Sequence, residues 1–134
     1  MTATARAPLK TVTLNAARSK AFPEGSSRHG YTFAAPLDAT GKIDLEAWRA
    51  RRGECIVHRF WGDERSRRGF LAHRPGGRSG ATWAFEYDDA LGAKPGASDE
   101  EAGYRLGDHE FRVGEYVSIR EEGELAPFKV VDVK

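Results

Sequence analysis

Chemically capable residues crowd into one stretch, CIVHRFWGDERSRRGFLAHRPGG (55–77), which holds five arginines, two histidines, one tryptophan and the single cysteine of the chain. It reads as a hairpin whose strands and connection are basic. Arginine throughout, with no lysine, favours forked contacts to phosphate or carboxylate and stacking on flat rings. Arg59 and Trp61 are two apart, so on a strand they project from one face. Arg65, Arg67 and Arg68 crowd the connection, and Arg74 and Arg78 follow. A cationic groove with aromatic platforms is how single-stranded nucleic acid is held. These residues are therefore the candidate binding set for an anionic partner, nucleic acid or an acidic protein surface. The competing reading is a core hairpin. Ile56, Val57 and Phe60 imply burial on part of both faces, which makes Trp61 structural and the arginines a solvated or acid-paired surface.

Covalent and metal chemistry find less support. The base nearest to Cys55 in sequence is His58, and an odd separation on a strand puts the two on opposite faces. A thiol without an adjacent base behaves as a small buried hydrophobe. The histidines His29, His58, His73 and His109 show no local metal-ligand spacing. P-loop, HExxH, CxxC and EF-hand patterns do not occur. GGRSGA (76–81) approaches a nucleophile elbow, but Ala81 stands where G-x-S-x-G requires glycine. It reads as a glycine-rich turn between strands. No catalytic residue, metal or cofactor is expected.

VGEYVSI (113–119), with Phe111 before it, resembles the first flavin-contacting strand of ferredoxin-reductase-like barrels at Phe111, Gly114, Tyr116 and Val117. The Arg-x-Tyr-Ser motif that follows in that family is replaced here by IREEGEL. The likeness thus extends to a β-strand and not to a flavin site.

The chain has 134 residues, 40% hydrophobic and 31% charged, with a net charge of +1. That suits one soluble domain able to bury a core, and bulk charge alone names no nucleic-acid or membrane partner. The charge is unevenly spread. Residues 49–80 carry nine arginines against three acids, and residues 81–134 carry 13 acids against six basic groups. Such asymmetry marks interaction surfaces, or two regions that neutralise each other in the fold. A lone cysteine excludes an intrachain disulfide and suits a reducing compartment. No apolar run is long enough for a membrane helix. The first 23 residues have no acid, as in transit peptides, yet LKTVTLN (9–15) alternates like a strand of the fold. A cytoplasmic protein is expected.

These residues must be positioned by a mainly β framework. Residues 1–8 read as a flexible terminus and 9–134 as one β-rich domain. Val12 and Leu14 share one face of the first strand, and Tyr31, Phe33 and Ala35 share one face of the next. SKAFPEGSSRHG (19–30) is turn-rich. IDLEAWRARRG (43–53) is the one helix, near 44–52, with Asp44 as N-cap, Gly53 as a left-handed stop, and Leu45 and Trp48 facing the core. Further strands are expected at 55–61, 69–74, 81–88, 104–106, 109–112, 115–121 and 125–133. Ala81, Trp83, Phe85 and Tyr87 share a face, and Val117 and Ile119 pack near Phe128 and Val130. Gly107-Asp108 and Glu122-Gly123 are the expected tight turns. Residues 88–101 form an acidic loop. About six to eight short, mostly antiparallel strands with one helix make a small β-barrel or β-roll.

Three functions fit this frame. The first is a non-enzymatic binding protein that uses the basic hairpin. The second is a protein-interaction or self-assembly domain, a weak homo-oligomer joined through its basic and acidic regions. The third is a ligand binder or enzyme with a pocket in the barrel mouth, lined by histidines, Tyr31, Tyr87 or Tyr104. The first is preferred, because the sequence assembles no nucleophile, base and metal set for the third.

Overall fold

Period-two alternation sets the inward face of the first two strands. The computed structural model describes residues 7–74, 82–87, 100–104, 110–121 and 124–134. Strand β1 (Leu9–Ala16) buries Val12, Leu14 and Ala16, and β2 (Ser26–Pro36) buries Tyr31, Phe33 and Ala35. Their antiparallel register pairs Val12 with Phe33 and Leu14 with Tyr31, so the two apolar rows face the same side. The remaining strands are β3 (Ile56–Trp61), β4 (Glu64–Arg74), β5 (Thr82–Tyr87), β6 (Glu100–Tyr104), β7 (Tyr116–Glu121) and β8 (Glu124–Val133). Each strand pairs antiparallel with the next, and β8 returns to pair with β1, closing an up-and-down barrel. Closure removes the exposed edges that an open sheet would leave for aggregation.

An eight-stranded barrel is just wide enough for side chains to fill or to hold one small ligand. Here a column of rings fills the interior. Phe128, Tyr31, Phe85, Phe33 and Phe111 follow one another at centroid separations of 5.1–5.4 Å. Tilted and edge-on contacts of this kind add to the burial of large apolar surfaces.

The connections close one end. Asp44 caps helix α1 (Leu45–Arg51) by accepting the Ala47 N–H at 3.1 Å. Trp48 is buried from this helix, and its indole Nε1–H donates to the Leu71 carbonyl at 3.0 Å. Leu37, Ile43 and Phe111 join it in the core. Ala7 is buried, and the Pro8 carbonyl accepts the Leu37 N–H at 3.1 Å. Among the described residues no helix is long and apolar enough to cross a membrane.

Several boundaries differ from the sequence expectation. Gly53 does not stop the helix in a left-handed conformation. It lies within a 3₁₀ turn (Arg52–Glu54), in which Cys55 N–H reaches the Arg52 carbonyl. Residues 64–68, read as a connection, belong to β4. The true connection is Gly62-Asp63, with Gly62 at φ 59°. Residues 26–30 extend β2, and β6 begins at Glu100 inside the expected acidic loop. Residues 110–112 are not a strand. In each strand extension, ladder pairing with a neighbour overrides weak local propensity. Gly107-Asp108, 76–81, 88–99 and Glu122-Gly123 lie outside the described residues. The flanking pair Glu121 and Glu124 is in register across β7 and β8.

Gly69 is required by a close approach. A Cβ built on Gly69 would lie 1.9 Å from the Glu86 carbonyl oxygen of β5, a backbone atom that cannot rotate away. Gly53 has open space around it. Gly69→Ala is therefore expected to destabilise by about 2–3 kcal/mol, as overpacking does. Gly53→Ala should be neutral or stabilise by up to about 1 kcal/mol. Urea denaturation of the two variants checks the contrast.

Candidate anion-binding site at the end of the barrel opposite α1

The end opposite α1 is formed by the last residues of β1, the segment 17–25, the Gly62-Asp63 turn and the start of β8. On β3 the inward row runs Val57, Arg59, Trp61, while His58 points out and is exposed. Among the described residues Arg59 is the one charged residue in the buried set, at 8% exposure. The register places Arg59 directly opposite Arg67 of β4 and Tyr31 of β2. Two arginines thus share the inward face of one antiparallel pair, an arrangement that like-charge repulsion disfavours.

Each guanidinium rests on an aromatic ring. Arg59 Cζ lies 4.1 Å from the centre of the Trp61 ring, and Arg67 Cζ lies 4.3 Å from that of Tyr87. Such stacking stabilises a partly desolvated cation. Arg59 Nη1 also lies 3.9 Å from Glu64 Oε1, a long ion pair to a carboxylate that is 68% exposed. Trp61 is held in turn by His29 at 5.0 Å and Phe22 at 5.7 Å. His29 is oriented by a 2.7 Å hydrogen bond between its Nδ1 and the Ser26 hydroxyl.

Beside these groups opens a cleft of about 390 Å³. Trp61, Phe22, Leu125, Ala126 and Pro127 form apolar walls, and Phe128 at the top of the ring column is the floor. Arg59 lines one side, and Lys20 and Ser19 contribute polar groups at the rim. The segment carrying Phe22 and Lys20 is internally braced. Ser19 N–H donates to the Phe22 carbonyl, and Phe22 N–H donates to the Ser19 hydroxyl. Gly25, at φ 75°, donates its N–H to the same Phe22 carbonyl.

The sequence-derived set is therefore divided. Arg59 and Trp61 line the cleft together, and Arg67 lies one strand further round over Tyr87. Arg68 is exposed and pairs in register with outward His58, and Arg65 is exposed near the hairpin end. Arg74 ends β4 opposite Thr82. Arg78 lies outside the described residues, as do His109 and residues 88–99 of the acidic loop.

Phe22, Lys20, Ala126 and Phe128 were not among the expected site residues. The available signal was Phe22, an aromatic residue alone in a polar, turn-rich segment. Of the residues expected to line a mouth pocket, Tyr31 is fully buried in the column, and Tyr87 lies beneath Arg67. Of the described histidines, His29 backs Trp61, His58 faces out, and His73 packs on Trp83 at 4.7 Å near the closed end. They do not converge. Among the described residues no group of three metal-ligating side chains occurs. At the strand that resembles a flavin-contacting one, Tyr116 is exposed with Lys129 Nζ 5.9 Å from its ring, and Phe111 is a core residue against Phe33.

Cys55 is fully enclosed, and its thiol is pushed up to about 11, chiefly by burial and despite the nearby Arg51 guanidinium. At pH 8 only about one thiol in a thousand would be ionised. Cys55 is expected to resist iodoacetamide at pH 8 in the folded protein and to react once unfolded in urea. Because the folded pKa lies above the ordinary value, stability should fall as pH rises from about 9 towards about 11. Mass spectrometry of the alkylated protein, with denaturation curves at pH 8 and 11 for the protein and Cys55→Ala, checks both points. The pH-dependent loss should be smaller in the variant.

Fold and site together define a small up-and-down β-barrel, filled at its centre and carrying an aromatic, cation-bearing cleft at the end opposite α1. No family model, curated protein or solved structure matches the chain, so its function must be argued from this geometry.

Proposed function

We propose that the chain is a binding protein that holds an anionic group at the end of its barrel opposite α1, with Arg59 and Arg67 as the principal cations. The observation that carries this reading is the direct opposition of these two arginines on the inward face. Two guanidinium groups at one register position concentrate positive potential at this end of the barrel, which draws an anion beyond the partners that the fold already gives them. Arginine is the suited residue, because its five donors let one guanidinium serve an internal carboxylate and a ligand oxygen together. Low exposure strengthens the interaction, since the local dielectric is below that of water.

The test is NMR titration with inorganic phosphate, following the arginine Nε–H and tryptophan Nε1–H signals. Saturable shifts at Arg59 and Trp61, lost in Arg59→Met, are expected. Uniform, non-saturating shifts that include Arg65 and Arg68 would overturn the reading.

A second reading has its own support. Arg65 and Arg68 are exposed on the same hairpin, as a single-stranded nucleic-acid surface requires. On that reading an Arg65→Ala/Arg68→Ala variant loses oligonucleotide affinity and Arg59→Met does not.

A further inference from the structure

The cleft beside Arg59 has a composition that bare phosphate would leave unused. Its walls are Trp61, Phe22, Leu125 and Pro127, and its floor is Phe128. We infer that the ligand of this site is a small organic acid: one ring or a short acyl chain that fills the cleft, carrying a carboxylate that meets Arg59. The inference rests on the proposed anion site and adds the chemical class of its occupant.

Size argues first. Small-molecule pockets span about 300–1,000 Å³, and this one measures about 390 Å³. It admits a single ring or a few carbons, and a nucleotide chain is too large to be enclosed. Depth is limited by chemistry as well. Phe128 is 1% exposed and continues into Tyr31 at 5.1 Å, so the ligand cannot descend into the barrel.

Polarity argues next. The apolar walls gain from contact with hydrocarbon. Arg59, with 8% exposure, gains from a forked carboxylate partner that brings its own apolar body to exclude water. Lys20 at the rim adds a second positive charge on the approach side. A cationic ligand meets repulsion from both groups, and a neutral one gains nothing from the positive charge that Arg59 and Lys20 place along the cleft.

The walls are preformed. Phe22 packs on His29 at 4.6 Å and on Trp61 at 5.7 Å, and its backbone is fixed by Ser19 and Gly25. A ligand therefore meets a built surface and need not order a loop, which lowers the entropic cost of binding.

Calorimetric titration with benzoate, acetate, benzyl alcohol and inorganic phosphate tests the class. Benzoate is expected to bind at least tenfold tighter than acetate or phosphate, and benzyl alcohol at least tenfold weaker than benzoate. Ala21 is exposed and lines the cleft, so Ala21→Trp obstructs it without touching the core. That variant should keep the native circular dichroism, lose at least tenfold in benzoate affinity, and retain the phosphate response at Arg59. If phosphate saturates at Arg59 but benzoate binds no tighter than acetate, or if Ala21→Trp leaves benzoate affinity unchanged, this inference falls and the anion site stands. If benzyl alcohol equals benzoate while phosphate saturates, this inference falls and the anion site again stands; if no anion saturates, both fall.

Discussion

Replacing Arg59 by methionine is expected to weaken anion binding about 10- to 100-fold, the effect of losing a charge-assisted hydrogen bond of roughly 1.5–3 kcal/mol, while the barrel stays folded. Methionine keeps the length and much of the packing of the arginine stem against Trp61. The charge that it removes is buried at 8% exposure and faces Arg67. Removing one partner of an ion pair is costly when it leaves the other buried and uncompensated. Glu64, the ion-pair partner at 3.9 Å, is 68% exposed and takes up water when the guanidinium leaves. Stability should therefore stay within about 1 kcal/mol of the parent. Loss of binding with retained stability is the signature of a residue kept for function. A purely structural Arg59 gives the reverse: a large fall in the denaturation midpoint with unchanged binding of whatever anion the protein holds. Salt dependence separates the cleft from the outer hairpin. Binding at a buried arginine is weakly screened, whereas binding along exposed Arg65 and Arg68 falls steeply with salt.

Phe85→Ala should be the most damaging core substitution, costing about 3–5 kcal/mol. Phe85 is fully buried and holds the middle of the ring column, touching Tyr31 at 5.1 Å and Phe33 at 5.4 Å. Its removal leaves a cavity that two strands on either side cannot collapse to fill, because the barrel is closed. The loss is a large part of the roughly 5–15 kcal/mol that holds a domain together. Phe60→Ala is the control. Phe60 lies on the outward face of β3, next in sequence to Arg59, and is only half-buried, so its loss should cost about 1–2 kcal/mol. Urea denaturation at constant pH reads both. Equal costs would mean that Phe85 and Phe60 do not occupy inner and outer faces.

Local pattern was enough for much of the framework. Val12/Leu14, Tyr31/Phe33/Ala35 and Trp83/Phe85/Tyr87 are each buried rows on single faces, as their alternation implies. Val117 pairs in register with Phe128 and Ile119 with Ala126, and Val117, Ile119, Phe128 and Val130 are all buried in one core. Asp44 caps its helix because a short carboxylate one position before a helix is the natural acceptor for the first-turn N–H groups. Strand ends were less legible. Residues 64–68 and 26–30 are rich in arginine, serine and glycine, and only hydrogen bonds from neighbouring strands make them extended.

The amino-acid sequence by itself determined the mainly β class, the helix near Asp44, the inward rows and the pairing of Arg59 with Trp61 on one side of a strand. These follow from periods of two and from capping, which are local. Tertiary structure decided that this side faces inward, that Arg67 stands opposite Arg59, and that Phe22 and Phe128 meet Trp61 to make a cleft. Those outcomes depend on ladder register and barrel closure, which join residues as far apart as Ala16 and Phe128. A one-residue slip of β4 would have sent Arg67 outward and left Arg68 in its place. No local pattern in the basic hairpin distinguishes the two.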